Sequence, residues 1–291
     1  MKRRNFTDSV LMVRPANFGY NPETAENNTF QSKEGADRTT TIKNRARREF
    51  DELVLRLETA GVNILVFNDK DIPQKPDAVF PNNWFTTHED GTLITYPMYS
   101  PARRIERDPA IIELIQQKFT ITQQIQLEAH ELDNRFLEAT GSMILNRKEG
   151  IVYSCLSERT DEALLSDFCR KMNYSPIVFN ATDHQGIPVY HTNVIMALGR
   201  DFVVICMECI GNPDQRKTLI DSFKKSNLEL VNISFDQVTN FAGNMLQLQN
   251  RYGDPVLAMS KSALLSLTPS QKATLENYTA LLDSDISTIE K

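Results

Sequence analysis

His191 is followed by Thr192 and Asn193 inside the stretch PVYHTNVIMALGRDFVVICME at 188–208. Imidazole changes charge near neutral pH, so a histidine in an apolar, strand-like setting has two readings. It is a core histidine satisfied by a backbone carbonyl, or a general base that carries a proton during catalysis. Spacing alone leaves both open. The thiols are Cys155, Cys169, Cys206 and Cys209. Cys206 and Cys209 have the C-x-x-C spacing of redox and zinc sites, but they lie in a strand and its end with no histidine paired to them. All four read as reduced, buried thiols.

The elements that would carry these residues recur. An apolar strand at 9–13 leads to a polar loop at 19–35, a candidate lid. A helix follows at 40–60, with Phe50, Leu53, Val54 and Leu57 at helical spacing, then Gly61 as its cap and a strand at 62–67. After that the order strand, turn, strand, helix, strand is expected four times. The first strands fall at 77–87, 136–146, 189–198 and 241–249. The second fall at 92–98, 151–156, 202–207 and 255–259. The helices fall at 101–119, 160–172, 213–226 and 268–281, and the third strands at 120–127, 176–180, 229–233 and 286–290. Asn83, Ser142, Asn193 and Asn244 align, stepping by 59, 51 and 51 residues. A period near 50 with mixed elements predicts an array that closes on itself, an α/β propeller of about five ββαβ blades in one domain over 1–291. The next anchor would fall near position 295, and the strand at 9–13 with its helix reads as a unit without its opening strand.

Composition bounds the function. The chain has 291 residues, 41% hydrophobic and 24% charged, which suits a globular domain with a real core. Net charge is −6 and no Lys/Arg run exceeds three residues, which argues against a nucleic-acid partner. No stretch approaches the apolar length of a membrane span, and the apolar piece at 10–13 is too short for a signal peptide. No membrane partner and a cytoplasmic location are therefore expected.

Seven pieces carry a resemblance: VRPANFGYN at 13–21, PDAVFPNNWFTTHEDG at 76–91, PMYSPARRIER at 97–107, LEATGSMILNR at 137–147, SERTDEA at 157–163, VYHTN at 189–193 and FAGNMLQL at 241–248. Together they resemble the guanidino-group-modifying superfamily of arginine deiminases, amidinotransferases and dimethylarginine dimethylaminohydrolases. The likeness is to a bacterial amidinotransferase-like or citrulline-utilisation hydrolase branch. The resemblance implies a five-bladed α/β propeller, and hydrolysis or transfer at the guanidino or ureido carbon of a small amino-acid substrate. No cofactor or metal is implied, and homo-oligomerisation is left open. It makes His191 the proton carrier, with Glu138 as its acidic partner in the EATG segment. Asp77 would bind substrate nitrogens, with Phe80, Asn82 and Asn83 beside it, and Arg103, Arg104 and Arg159 would hold a substrate carboxylate. Relatives that act on arginine-like substrates place carboxylates where this chain has Asn82 and Asn83. An amide there suits a neutral ureido group, and so citrulline over arginine.

The superfamily's nucleophilic cysteine follows an "xTIE" segment, which here is Thr288-Ile289-Glu290 at the end of the sequence. The nucleophile is therefore expected beyond Lys291. A catalytically inactive binding relative is the rival reading, and a purely structural ring the third.

Overall fold

The computed structural model describes residues 4–21, 23 and 39–290, so most of the loop expected at 19–35 lies outside the described residues. Among those residues the strands form five small sheets, one of two strands and four of three. β1 (Ser9–Arg14) pairs in parallel with β2 (Asn63–Asn68). Parallel neighbours need a crossover, and α1 (Thr39–Thr59) supplies it. Its buried residues Ala46, Phe50 and Leu57 share one face, which packs back on the sheet. The chain leaves α1 through Gly61 at φ +88°, a conformation that a side chain would strain.

The next four sheets share one plan. β3 (Phe85–Thr87), β4 (Thr92–Thr95) and β5 (Gln123–Gln126) form the first, with β4 in the middle. It pairs antiparallel with β3 across a tight turn and parallel with β5 after a helical crossover. The same arrangement joins β6 (Ile144–Asn146), β7 (Ile151–Cys155) and β8 (Ser175–Phe179). It recurs in β9 (Met196–Leu198), β10 (Phe202–Ile205) and β11 (Glu229–Asn232), and in β12 (Leu246–Gln249), β13 (Pro255–Ser260) and β14 (Ala280–Ser284). The middle strands are the apolar ones because both their faces are covered. Phe202, Val203, Val204 and Ile205 are all fully buried. The largest core cluster runs from Tyr153 through Phe202 and Phe223 to Leu257 and Leu275, so it joins the last three of these sheets.

The structure corrects the expected first strands. Each of those four stretches spends its opening on a single turn and only then becomes a strand of three or four residues. The turns are Pro81–Asn83, Ala139–Ser142, Thr192–Val194 and the turn at 241–243. An apolar run reads the same whether it is extended or makes one tight turn, which is why the pattern missed them. Pro81 at the start of the first turn is the visible clue. The turns pack on one another, with Ala139–Ser142 between Pro81–Asn83 and Thr192–Val194. The approach is closest where glycines allow it. A Cβ on Gly243 would overlap the Val194 carbonyl oxygen and come within 2.7 Å of the Ile195 Cα. Both obstacles are backbone, so Gly243→Ala is expected to cost about 1–3 kcal/mol in urea unfolding, with unchanged stability as the contrary result.

Two helices also differ. The helix expected at 101–119 is two, α2 (Pro101–Arg104) and α3 (Pro109–Lys118), because Asp108 precedes a proline and caps the new helix through Ala110 N–H at 3.0 Å. The helix expected at 268–281 ends at Glu276 and begins at Pro269, after a Thr268–Gln271 capping box. β14 then occupies 280–284, and the strand expected at 286–290 is a turn. That turn is held by Glu49, whose carboxylate accepts from the Thr288 and Ile289 N–H groups.

Candidate active site

Ser142, one of the four aligned anchors, is the knot that builds this place. Its hydroxyl accepts from the Glu138 N–H at 2.8 Å and donates to the Arg159 carbonyl at 2.8 Å. Its own carbonyl accepts from the Thr192 and Ser154 hydroxyls, both at 2.6 Å. One serine thus brings Glu138, Arg159 and the residue after His191 together. Asn83 is also buried, whereas Asn193 is half-buried and Asn244 exposed, so the repeat phases the backbone and not every side chain.

Glu138 is fully buried and His191 nearly so. The Glu138 Oε2 lies 2.7 Å from His191 Nε2 and 3.6 Å from Arg159 Nη1, and its Oε1 accepts from the Tyr99 N–H at 2.9 Å. Burial alone would raise this carboxyl. The His191 hydrogen bond and the Arg159 charge outweigh it and hold the pKa at about 2. Burial lowers the His191 pKa below its ordinary value, against the pull of Glu138. At neutral pH the pair is therefore a carboxylate and a neutral imidazole. An ionised carboxylate only accepts, so Nε2 carries the proton and Nδ1 keeps its lone pair. That lone pair is the basic position. A Cβ on Gly141 would sit 2.9 Å from Nδ1, so bare backbone faces it.

A second group adjoins the first. Arg103 donates from Nε and Nη2 to the two oxygens of Glu106, each at 2.9 Å, and from Nη1 to Asn83 Oδ1 at 2.9 Å. Nη2 also reaches the Phe80 carbonyl at 3.3 Å. The Asp77 carboxylate lies 3.7 Å from Arg103 Nε and accepts from the Asn21 amide at 2.7 Å. Burial pushes the Glu106 carboxyl up to about 7, against the pull of Arg103. Two guanidinium groups thus meet three carboxylates in one buried region.

The residues that the sequence nominates are mostly brought together. His191, Glu138, Arg159, Asn83, Arg103 and Asp77 form one connected set. Arg159 lies over the Tyr190 ring at 4.8 Å. Phe80 contributes its carbonyl, and Asn82 contributes a carbonyl that accepts from the Thr140 hydroxyl at 3.1 Å. Arg104 faces elsewhere, donating to the Met98 carbonyl at 3.0 Å and lying 3.3 Å from Glu131. Sequence reasoning missed Glu106, although its place three residues after Arg103 on a helical turn is the spacing of an ion pair. It also missed Asn21, although this residue closes the VRPANFGYN piece that carries part of the resemblance. The cysteines are all buried. Burial pushes Cys155 up to about 11 and Cys169 up to about 12, and Cys206 and Cys209 hydrogen-bond each other.

The Glu138 shift fixes a pH dependence. Its folded pKa lies below the unfolded value, so its stabilisation is present above about pH 4.5 and is lost as pH falls toward 2. The amount is on the order of 3 kcal/mol from about 1.4 kcal/mol per unit. Urea midpoints at pH 5 and pH 3 should differ more for the wild-type chain than for Glu138→Gln. Equal differences would show that the pair contributes nothing.

A family model described as N,N dimethylarginine dimethylhydrolase, eukaryotic, matches residues 14–291. No curated protein matches the sequence closely. Among solved structures, the N-terminal domain of ArgZ, a cyanobacterial arginine dihydrolase, in a cysteine-to-serine form bound to substrate, is similar with a TM-score of 0.70 at 14% identity. The match covers 97% of this chain and 93% of that domain. Apo ArgZ is similar at 0.68 and 12% identity, covering 96% of this chain, which spans only 37% of the length of that protein. A dimethylarginine dimethylaminohydrolase variant, as an adduct with S-methyl-L-thiocitrulline, is similar at 0.65 and 15% identity, with 98% of this chain and 95% of that one covered. At these identities the likeness is one of fold. The small mixed sheets are those of the guanidino-modifying structures. No helix of the described residues is long and apolar enough to cross a membrane.

Proposed function

The chain belongs to the N,N dimethylarginine dimethylhydrolase family, eukaryotic, within the guanidino-modifying pentein superfamily, and from that premise we propose that its Glu138–His191 site binds a citrulline- or arginine-like free amino acid and serves hydrolysis or transfer at the ureido or guanidino carbon. The observation that carries this is the buried Glu138–His191 contact at 2.7 Å, which leaves a basic Nδ1 over a glycine. His191 takes a proton at Nδ1 and returns it to the leaving nitrogen, while Glu138 holds the ring and stabilises the imidazolium. Asp77 and Asn83 meet the planar nitrogens and oxygen of the substrate. Arg159, whose guanidinium lies 3.6 Å from Glu138 beside His191, is proposed to hold the substrate carboxylate by charge-assisted hydrogen bonds.

The five sheets are proposed to be the blades of one propeller in a single cytoplasmic domain. The chemistry at such a carbon calls for a thiolate that forms a covalent bond to it and expels an amine, followed by water. Cys155, Cys169, Cys206 and Cys209 are all buried, and the Cys155 thiol donates to the Val189 carbonyl, so none of the four is proposed to supply it. Those buried thiols also favour a second reading, a relative that binds the amino acid without turning it over. The test is to incubate the full-length protein with L-citrulline or L-arginine and follow ammonia and bound ligand together. Ammonia release supports the enzyme, saturable binding without release supports the second reading, and neither event with either ligand overturns both.

A further inference from the structure

Arg103 is buried at the centre of the site, and its guanidinium donates to Glu106, to Asn83 Oδ1 and to the Phe80 carbonyl. We infer that Glu106 is a positioning residue that, through Arg103, fixes the polarity of Asn83, so that the ligand position beside His191 meets an N–H donor and takes an oxygen in preference to an NH₂ group. The inference rests on the reading that this site binds a ureido or guanidino amino acid, and it names which of the two the site is built for.

A guanidinium has five donors and no acceptor. The Asn83 atom 2.9 Å from Arg103 Nη1 must therefore be the carbonyl oxygen, which settles the orientation of the amide. Nδ2 then lies on the opposite side, toward Gly141. A Cβ on that glycine would fall 2.5 Å from Asn83 Nδ2 and 2.8 Å from His191 Cε1. The amide N–H₂ and the imidazole ring thus border the same bare piece of backbone.

Glu106 is what aims Arg103. Its two oxygens take Nε and Nη2 in a fork, each at 2.9 Å, and a fork fixes the plane and the rotation of the guanidinium. Nη1 is then the donor left for Asn83. The Glu106 side chain is 2% exposed and Arg103 donates to both of its oxygens, so it acts through Arg103. Without the fork, the guanidinium can turn toward the Asp77 carboxylate 3.7 Å away. The Asn83 amide could then present either end to the site. Discrimination would be lost, with less effect on affinity as such.

L-citrulline and L-arginine differ at one terminal position, oxygen against an NH₂ group, and so report this polarity. Their dissociation constants are measured by calorimetry on the wild-type chain, Glu106→Gln, Glu106→Asp and Asn83→Asp. The wild type is expected to favour citrulline by about tenfold or more, the usual consequence of opposing two donors in a buried site. Glu106→Gln, which loses one arm of the fork, narrows that ratio to about threefold or less. Glu106→Asp, which is too short to span both nitrogens, narrows it as well and serves if the glutamine variant does not fold. Asn83→Asp reverses it. A Glu106 variant that weakens both ligands equally and keeps the ratio overturns the inference, because a purely structural role moves affinity and not the ratio. A wild-type preference for arginine also overturns it. A wild type that binds neither ligand removes the underlying reading instead.

Discussion

Glu138→Ala is expected to lower the unfolding free energy by about 3–5 kcal/mol, the usual cost of removing one partner from a buried ion pair. The carboxylate has no access to water and meets three donors at once, the His191 ring, the Tyr99 N–H and the Arg159 guanidinium. Truncation takes a counter-charge from a buried guanidinium and an acceptor from a backbone N–H. Each of those losses alone costs of the order of 1–3 kcal/mol. Glu138→Gln keeps oxygen for one of the donors and should lose visibly less. Equilibrium urea unfolding at pH 7 measures both. If the alanine variant came within 1 kcal/mol of wild type, the charge of Arg159 would have to be met by something other than Glu138.

Gly141→Ala is the matching prediction for the site. The nearest atoms to the added methyl would be the ends of two side chains, Asn83 and His191. Those ends can swing aside, so the fold should lose only about 1–3 kcal/mol, as overpacked positions do. Binding is another matter. The imidazole and the amide would both leave their places, and the methyl would fill the gap beside Nδ1. Misplaced catalytic groups cost about a hundredfold for an ångström, and the same displacement should weaken citrulline or arginine binding by a similar factor. Calorimetry on a variant whose melting temperature has been checked decides this. Binding within threefold of wild type would mean that the ligand does not sit over Gly141.

These two positions also show what the sequence made legible. The EATG segment and VYHTN were readable as chemistry through a resemblance, and Glu138 and His191 do meet. The recurring strand, turn, strand, helix, strand order was readable from hydrophobic periodicity, and the four three-stranded sheets follow it. Local geometry was not readable. Hydrophobic patterning cannot tell an extended tripeptide from one turn of helix, so Pro81–Asn83 and Thr192–Val194 read as strand in the sequence. Those turns are what place Asn83 and His191 against Gly141. Nor does spacing say where a long cationic side chain goes. Arg103 and Arg104 are neighbours in the sequence, yet one enters the buried cluster and the other ties the Met98 carbonyl to the edge of the fold. Glu106 illustrates the same limit. Its spacing from Arg103 was available, but only the depth of burial makes that pair a fork with consequences for Asn83. The helix boundary at Glu276 was missed because the apolar pattern runs on into β14, where Leu281 and Leu282 pair with Leu257 and Ala258.

The proton at His191 is the most direct test of the whole account. The chain has four histidines, so nitrogen-15 NMR of labelled imidazoles can follow each, with His191 assigned by its loss in His191→Gln. The site described here predicts a neutral ring at pH 7 with the proton on Nε2 toward Glu138. It also predicts an Nδ1 resonance that moves on saturation with citrulline or arginine while Nε2 stays. A charged ring at pH 7, a proton on Nδ1, or an Nδ1 resonance that ignores bound ligand would contradict it.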